Sequence, residues 1–252
     1  MIQPTLVNKL FIATALSTVF IVLAGPSFAQ DIGLPFGDDG SLTTRTIQLF
    51  ILITVLSIVP GIAIMVTCFP FIVTVLAILR QAIGLQQSPP NMLMVSLALF
   101  LTYFVMEPVF SDAWFAGIQP LLDGEIEAET AFLQTMEPLR AFMLTRIDAD
   151  TMFRLSELRP DLDPNQGPEQ MPLSVLIPSF MLSEMEHAFQ VGFLIFLPFL
   201  IIDLVVAAVL MSMGMMMVPP AIVSLPFKLA FFVVADGWSL IAVSLVRGYG
   251  GG

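Results

Sequence analysis

Residues 188–227 read AFQVGFLIFLPFLIIDLVVAAVLMSMGMMMVPPAIVSLPF, with Asp203 as the single charge. A stretch this apolar predicts buried or lipid-covered helix. Pro198 predicts a kink, and Gly214 with Pro219 and Pro220 predicts a turn back, so the stretch reads as an apolar helical hairpin. Its turn holds five methionines in seven residues, Met211, Met213, Met215, Met216 and Met217. Unbranched thioether chains fill irregular gaps and re-pack easily. One reading is core filler at a turn. The other is a ring of such loops forming a deformable apolar constriction that blocks ions by dewetting yet parts for a polypeptide.

Outward from the hairpin the same character continues. Leu229–Val246 predicts a last apolar helix carrying one charge, Asp236, before Arg247 and a Gly-rich end. On the other side, Ser111–Pro172 differs in kind, with twelve acids and four arginines for a net charge of −8. Pro138 is read there as a first helical position, followed by Leu139, Phe142, Met143 and Ile147 at helical spacing. Phe153, Leu155 and Leu158 suggest a second short helix, and Pro160, Pro164, Pro168 and Pro172 an irregular linker. This is the composition of a small extramembrane helical domain.

Further upstream, residues 47–79 carry no charge. One straight helix of that length would be about 50 Å long, beyond the ~30 Å hydrocarbon core. Pro60-Gly61 and Pro70 are expected to break it, with a continuation ending at Arg80. Residues 81–90 read as a loop, Pro89 and Pro90 bar helix, and Asn91 is expected to cap the helix that follows. That helix, Met92–Met106, is expected to stop at Glu107-Pro108. Residues 30–44 read as a polar lead-in. At the N-terminus, Lys9, the apolar run Leu10–Ala24 and the small-residue pattern Ser27-Phe28-Ala29 read as a secretory signal peptide with cleavage after Ala29.

Four segments follow: 1–29 signal peptide, 30–110 lead-in and apolar helices, 111–172 acidic domain, and 173–252 apolar hairpin with the methionine loop. The expected fold class is all-α, with polytopic membrane-type hairpins kinked by Pro and Gly. Over the whole chain of 252 residues the apolar fraction is 57%, charged residues are 12% and mean hydropathy is +0.94. Soluble domains hold roughly 45–50% apolar and ~25% charged residues, so this chain needs an apolar covering. The net charge of −11 argues against nucleic-acid partners. Arg80 in an acid-free loop and the acidic 111–172 segment orient the chain by the positive-inside rule, Arg80 toward the cytoplasm and the acidic domain outside.

No catalytic constellation is read in the sequence. His187 is its one histidine, which rules out an intrachain His cluster, and no hydrolase elbow, zincin or P-loop pattern occurs. No metal or cofactor is expected. His187 reads as an interfacial surface group, and Cys68 as a small buried hydrophobe. Glu184, Asp203, Lys228 and Asp236 lie in or beside apolar helices, where charges are expensive and usually face protein or water. Structural ion pairing is one reading and a proton relay the other. An intramembrane aspartyl protease lacks its glycine signature before Asp236.

The residues resemble a known family. Pro70-Phe71-Ile72-Val73, Leu79-Arg80, Pro89-Pro90-Asn91 and Leu97–Thr102 resemble the first half of the FliP/SctR pattern. Ser183-Glu184, Ala188-Phe189-Gln190, Leu197-Pro198-Phe199, Gly214–Pro220, Leu225–Lys228 and Asp236-Gly237-Trp238 resemble the second. The match runs over nearly all of Arg45–Arg247. Where family members often carry a basic residue, this chain has Glu186 followed by His187.

The resemblance implies a core subunit of the flagellar type III export gate, in the bacterial inner membrane and the flagellar basal body. It implies five such subunits in a helical ring with a FliR-like and FliQ-like partners, FlhA-like and FlhB-like components nearby, and unfolded flagellar proteins as cargo. It implies that Met215, Met216 and Met217, with Met211 and Met213, seal the pore, and that Glu184 and Lys228 pair between subunits. The equivalent subunit of a virulence injectisome, a proton-coupled transporter using Asp203 and Asp236, and a pore-less membrane scaffold are the alternatives.

Overall fold

The computed structural model describes residues 42–85, 88–162, 167–215 and 217–250. The signal peptide expected over 1–29 lies outside them, as do residues 30–41 of the expected polar lead-in, Pro164 of the expected linker, and Met216; the last three lead-in residues, 42–44, are already helical. The described residues are helical, with no strand among them. By its internal contacts the chain divides into Met1–Thr54 and Val55–Gly252.

The first unit is described from Leu42, as the opening part of helix α1 (Leu42–Met65). Its side chains from Thr46 to Thr54 are exposed, and Thr54 Oγ1 donates to the Phe50 carbonyl at 2.8 Å. Ile47, Leu49, Phe50, Ile51 and Leu52 stand among them. An apolar helix exposed all round needs an apolar solvent.

In the second unit the expected break at Pro60-Gly61 does not occur, for α1 runs through Pro60. The chain breaks instead at 66–68. There Thr67 Oγ1 donates to the Ile64 carbonyl at 2.9 Å and accepts from Phe69 N at 3.4 Å. A hydroxyl that bonds the local backbone offers an alternative to the helix ladder, and Pro70 then sits in the first turn of α2 (Phe69–Ile83), where its missing N–H costs nothing. Helix α2 passes the expected end at Arg80 and stops at Gly84, whose φ of +89° a glycine adopts without strain.

Helix α3 (Asn91–Ala113) also corrects two expectations. Pro90 holds the N-cap position, and the Asn91 side-chain oxygen accepts from Arg80 Nη1 rather than from the helix backbone. The helix does not stop at Glu107-Pro108. It continues through a π-helical turn (Trp114–Ile118) into a short α4 (Gln119–Leu122). The four-residue spacing of the buried Ala98, Thr102 and Met106 gives α3 one face against a core, and that packing outweighs one proline.

The acidic segment forms α5 (Ala128–Leu144) and α6 (Ala149–Glu157). Pro138 lies inside α5, not at its start, because the helix begins ten residues earlier. Asp148 caps α6 by accepting from Thr151 N at 2.9 Å, and that bond holds its carboxyl below the usual aspartate range. Met143, Met152, Met171, Val175, Leu176 and Phe180 form one buried cluster, so this segment shares its core with the start of the next helix.

That helix, α7 (Leu173–Ser212), has 40 residues and contains Pro178 and Pro198. At 1.5 Å per residue it is about 60 Å long. Gly192 lets α2 and α7 cross closely, since a Cβ there would collide with the Ile78 side chain. Helix α8 (Pro220–Val234) returns beside α7. The expected single last helix is two. Asp236 has φ +48° and separates α8 from α9 (Gly237–Gly250) with a bend of 61°. Aspartate tolerates the left-handed region better than most residues. By length and composition, Thr46–Met65, Asn91–Leu122 and Leu173–Ser212 could each cross a membrane, and the bent α8–α9 pair makes a fourth if counted as one span.

Candidate functional site: the methionine loop and its charged stem

Helix α7 ends in a closed cap. Gly214 N donates to Met211 O and Met215 N to Leu210 O, both at 3.0 Å. With Gly214 at φ +77°, this is the Schellman pattern, in which two otherwise unpaired carbonyls are satisfied at a left-handed glycine. The turn therefore follows from the glycine at that position. A Cβ on Gly214 would meet nothing within 4 Å, so the requirement is conformational and not one of space.

The methionines around this turn are not core filler within the chain. Met211, Met213 and Met215 are exposed, and Met217 is 98% exposed. An apolar cluster held out on a capped turn is the kind of surface that another apolar surface covers.

The stem below the loop is polar and tightly connected. Asp203 on α7 meets Lys228 on α8, Oδ2 to Nζ, at 2.6 Å. Ser224 Oγ donates to Asp203 Oδ1 at 2.5 Å. Lys228 Nζ also donates to the Ala82 carbonyl at 3.1 Å. The lysine side chain is 8% exposed and the aspartate 33%. A charge in such surroundings is tolerable only when paired and hydrogen-bonded.

Glu184 belongs to a second cluster. Its carboxylate is fully buried and accepts from Arg146 Nε at 2.9 Å and from the Tyr249 hydroxyl. Arg146 also donates to the Gly248 carbonyl at 3.3 Å and lies 4.4 Å from the Tyr249 ring centre. Within the chain, then, Glu184 and Lys228 do not pair with each other; each has its own partners. Asp236 makes no ion pair among the described residues and sits exposed at the α8–α9 bend. It is not brought together with Asp203. Pro89 and Asn91 meet Arg80, while Pro219 caps α8 and Pro220 opens it.

A cavity of about 610 Å³ lies between α7, α8 and α9, lined mainly by Val191, Ile195, Phe199, Phe231 and Leu245, with none of the loop methionines. His187 lines it as well, and its Nδ1 is buried without a partner, so this histidine is not the plain surface group expected. Among the described residues no group of three or more His, Cys, Asp or Glu could hold a metal ion.

Ser224, Ala82, Arg146 and Tyr249 did not stand out in the sequence. Ser224 could have, since it lies four residues before Lys228 and so on the same face of an apolar helix. Arg146 and Tyr249 reach Glu184 across 38 and 65 residues, a separation at which spacing carries no signal.

A family model described as the FliP family matches residues 52–245. The chain is 51% identical to the flagellar biosynthetic protein FliP of Caulobacter vibrioides over 235 residues, 91% of this chain and 88% of that one. It is 48% identical to the Rhizobium meliloti protein of the same name, over 90% of this chain and 93% of that one. For the Bacillus subtilis FliP the figures are 44% identity over 84% and 95%. A match that spans the capped methionine turn, the Asp203–Ser224–Lys228 stem, the Arg146–Glu184 pair and most of the described helices places this chain in the FliP family.

Proposed function

We propose that this chain is a core, pore-forming subunit of the flagellar type III protein export gate, passing unfolded flagellar proteins across the inner membrane. The observation that carries the reading is the exposed methionine loop on a glycine-capped turn, in a chain whose relatives are named flagellar biosynthetic proteins. Copies of the chain assemble into a ring, five with a FliR-like subunit, and FliQ-like, FlhA-like and FlhB-like components join it. The loops of Met211, Met213, Met215, Met216 and Met217 meet at the axis. Their thioether chains exclude water and ions while closed, and yield to a polypeptide because each chain rotates about several single bonds. No bond is made or broken in the cargo by this subunit. In this reading the acidic segment faces the periplasm and Arg80 the cytoplasm, an orientation that the charge asymmetry favours.

A Glu184–Lys228 contact between neighbouring copies is part of this proposal, added to the intrachain partners that each already has. A transporter using Asp203 and Asp236 gains no support here, because Asp203 is neutralised by Lys228 and Asp236 stands apart at a bend.

The test is the native mass of the tagged full-length protein taken from its own membranes in mild detergent. A ring of several copies with FliR-like and FliQ-like partners supports the gate. A stable monomer or dimer without them overturns it.

A further inference from the structure

The stem of the methionine hairpin joins three helices through one ammonium group. Gly84, in the left-handed region, ends α2. The last four carbonyls of a helix have no intrahelical donor, and Ala82 is one of them. Lys228 Nζ fills that place at 3.1 Å and meets Asp203 at 2.6 Å. It therefore neutralises a carboxylate and also the negative end of α2. Ser224 adds a second bond to the same carboxylate. Among the described residues no other side-chain hydrogen bond or ion pair joins α7 to α8.

The position of this cluster is specific. Asp203 lies eight residues before Met211 on one helix, about 12 Å along its axis. Ser224 lies seven residues after Met217. Between the cluster and the turn, Leu204, Val205 and Val209 on α7 and Ile222 on α8 are exposed. Among the described residues of the upper hairpin only Leu210 is buried, so it has little packing of its own within the chain.

We propose that Asp203, Ser224 and Lys228 are positioning residues that set where the methionine loop stands, by locking the α7–α8 stem to the carbonyl end of α2. This rests on the sealing role given to the loop. The lock has a direction: position 228 must donate, because one of its two partners is a backbone carbonyl. A carboxylate there would face the Ala82 oxygen unpaired.

The experiment uses the full-length chain in membranes holding the complete export apparatus. Spin labels at Val209→Cys and Ile222→Cys, in a Cys68→Ala background, report the stem separation, and ion leak reports the seal. Asp203→Asn is expected to broaden the separation and raise leak several-fold while the ring still assembles. Ser224→Ala, which removes one bond and no charge, is expected to do the same more weakly, so the proposal survives a failure of the first variant to assemble. The swap Asp203→Lys with Lys228→Asp is expected not to restore either readout.

An unchanged separation in Asp203→Asn and Ser224→Ala overturns the lock, and so does leak that rises with no change in separation. Restoration by the swap overturns the part given to Ala82. Glycine at Met213, Met215 and Met217 separates the two ideas. If that variant stays tight, the sealing role fails, while a broadened stem in Asp203→Asn still supports positioning.

Discussion

The two buried charge clusters of this chain do opposite things with the same chemistry. Around Glu184, the carboxylate is fully enclosed, and Arg146 and Tyr249 come from distant segments. Around Lys228, the ammonium is enclosed, its carboxylate partner is a third exposed, and a methionine loop stands beyond. The first cluster knots three parts of the second unit together. The second fixes the stem of a hairpin whose end has few contacts of its own. Enclosure without exposure is what a structural knot needs, and partial exposure near a loop is what an adjustable part needs.

That contrast predicts a graded set of losses. The largest follows Glu184→Ala, which leaves Arg146 and Tyr249 without their acceptor. Breaking a buried pair costs about 3–5 kcal/mol, and the partly exposed Arg146 places this change toward the lower end. A steep fall in melting temperature and in accumulation is expected, and near-wild-type stability would dissolve the contrast. Lys228→Met comes next, at about 2 kcal/mol after discounting for the exposure of Asp203. It should disturb the loop before it unfolds the chain, which comparing leak with thermal melting would reveal.

Gly192→Val tests a part that neither cluster touches. Its side chain would strike Ile78 at the α2–α7 crossing, and overpacking of this kind costs about 1–3 kcal/mol. A thermal melt reads it directly. Met217→Gly should cost less than about 0.5 kcal/mol of stability, as an exposed position does; a larger cost would mean the loop is packed and not held ready.

The smallest effect is one of pH. The Arg159 guanidinium, 2.9 Å away, pulls the exposed Asp161 carboxyl down from 3.8 to about 2. A depressed carboxyl stabilises the fold above its unfolded pKa, and that contribution disappears as pH falls from about 4 to 2. Wild type and Asp161→Asn should therefore differ slightly at neutral pH and converge in acid. A difference that grew in acid would reverse the sign.

The sequence declared the helices more clearly than their ends. Long apolar runs placed α1, α3, α7 and α8, because that much apolar surface needs a covering that a helix can present without leaving backbone groups unpaired. The prolines misled. Pro60, Pro108 and Pro138 were each expected to break or open a helix and lie inside one. A proline removes one hydrogen bond, and at Pro108 a helix with one face packed on a core absorbs that loss; α1 is exposed along Pro60, so packing does not explain its continuation there. The true breaks are quieter, at Thr67 through its hydroxyl and at Asp236 through its backbone angle.

Of the site, the turn was legible because Gly214, Pro219 and Pro220 dictate it locally. The exposure of its methionines was not, since composition alone also fits a core. The partners of Glu184 and Lys228 were invisible for a related reason. They depend on which helices cross where, and the crossing is set by small details such as Gly192 against Ile78.

The most direct measurement is the ion conductance of membranes carrying the complete apparatus, wild type against Met213→Gly, Met215→Gly and Met217→Gly together. The account predicts a marked leak with the ring intact and its melting temperature nearly unchanged. Conductance equal to wild type, in an apparatus that still assembles, would contradict it.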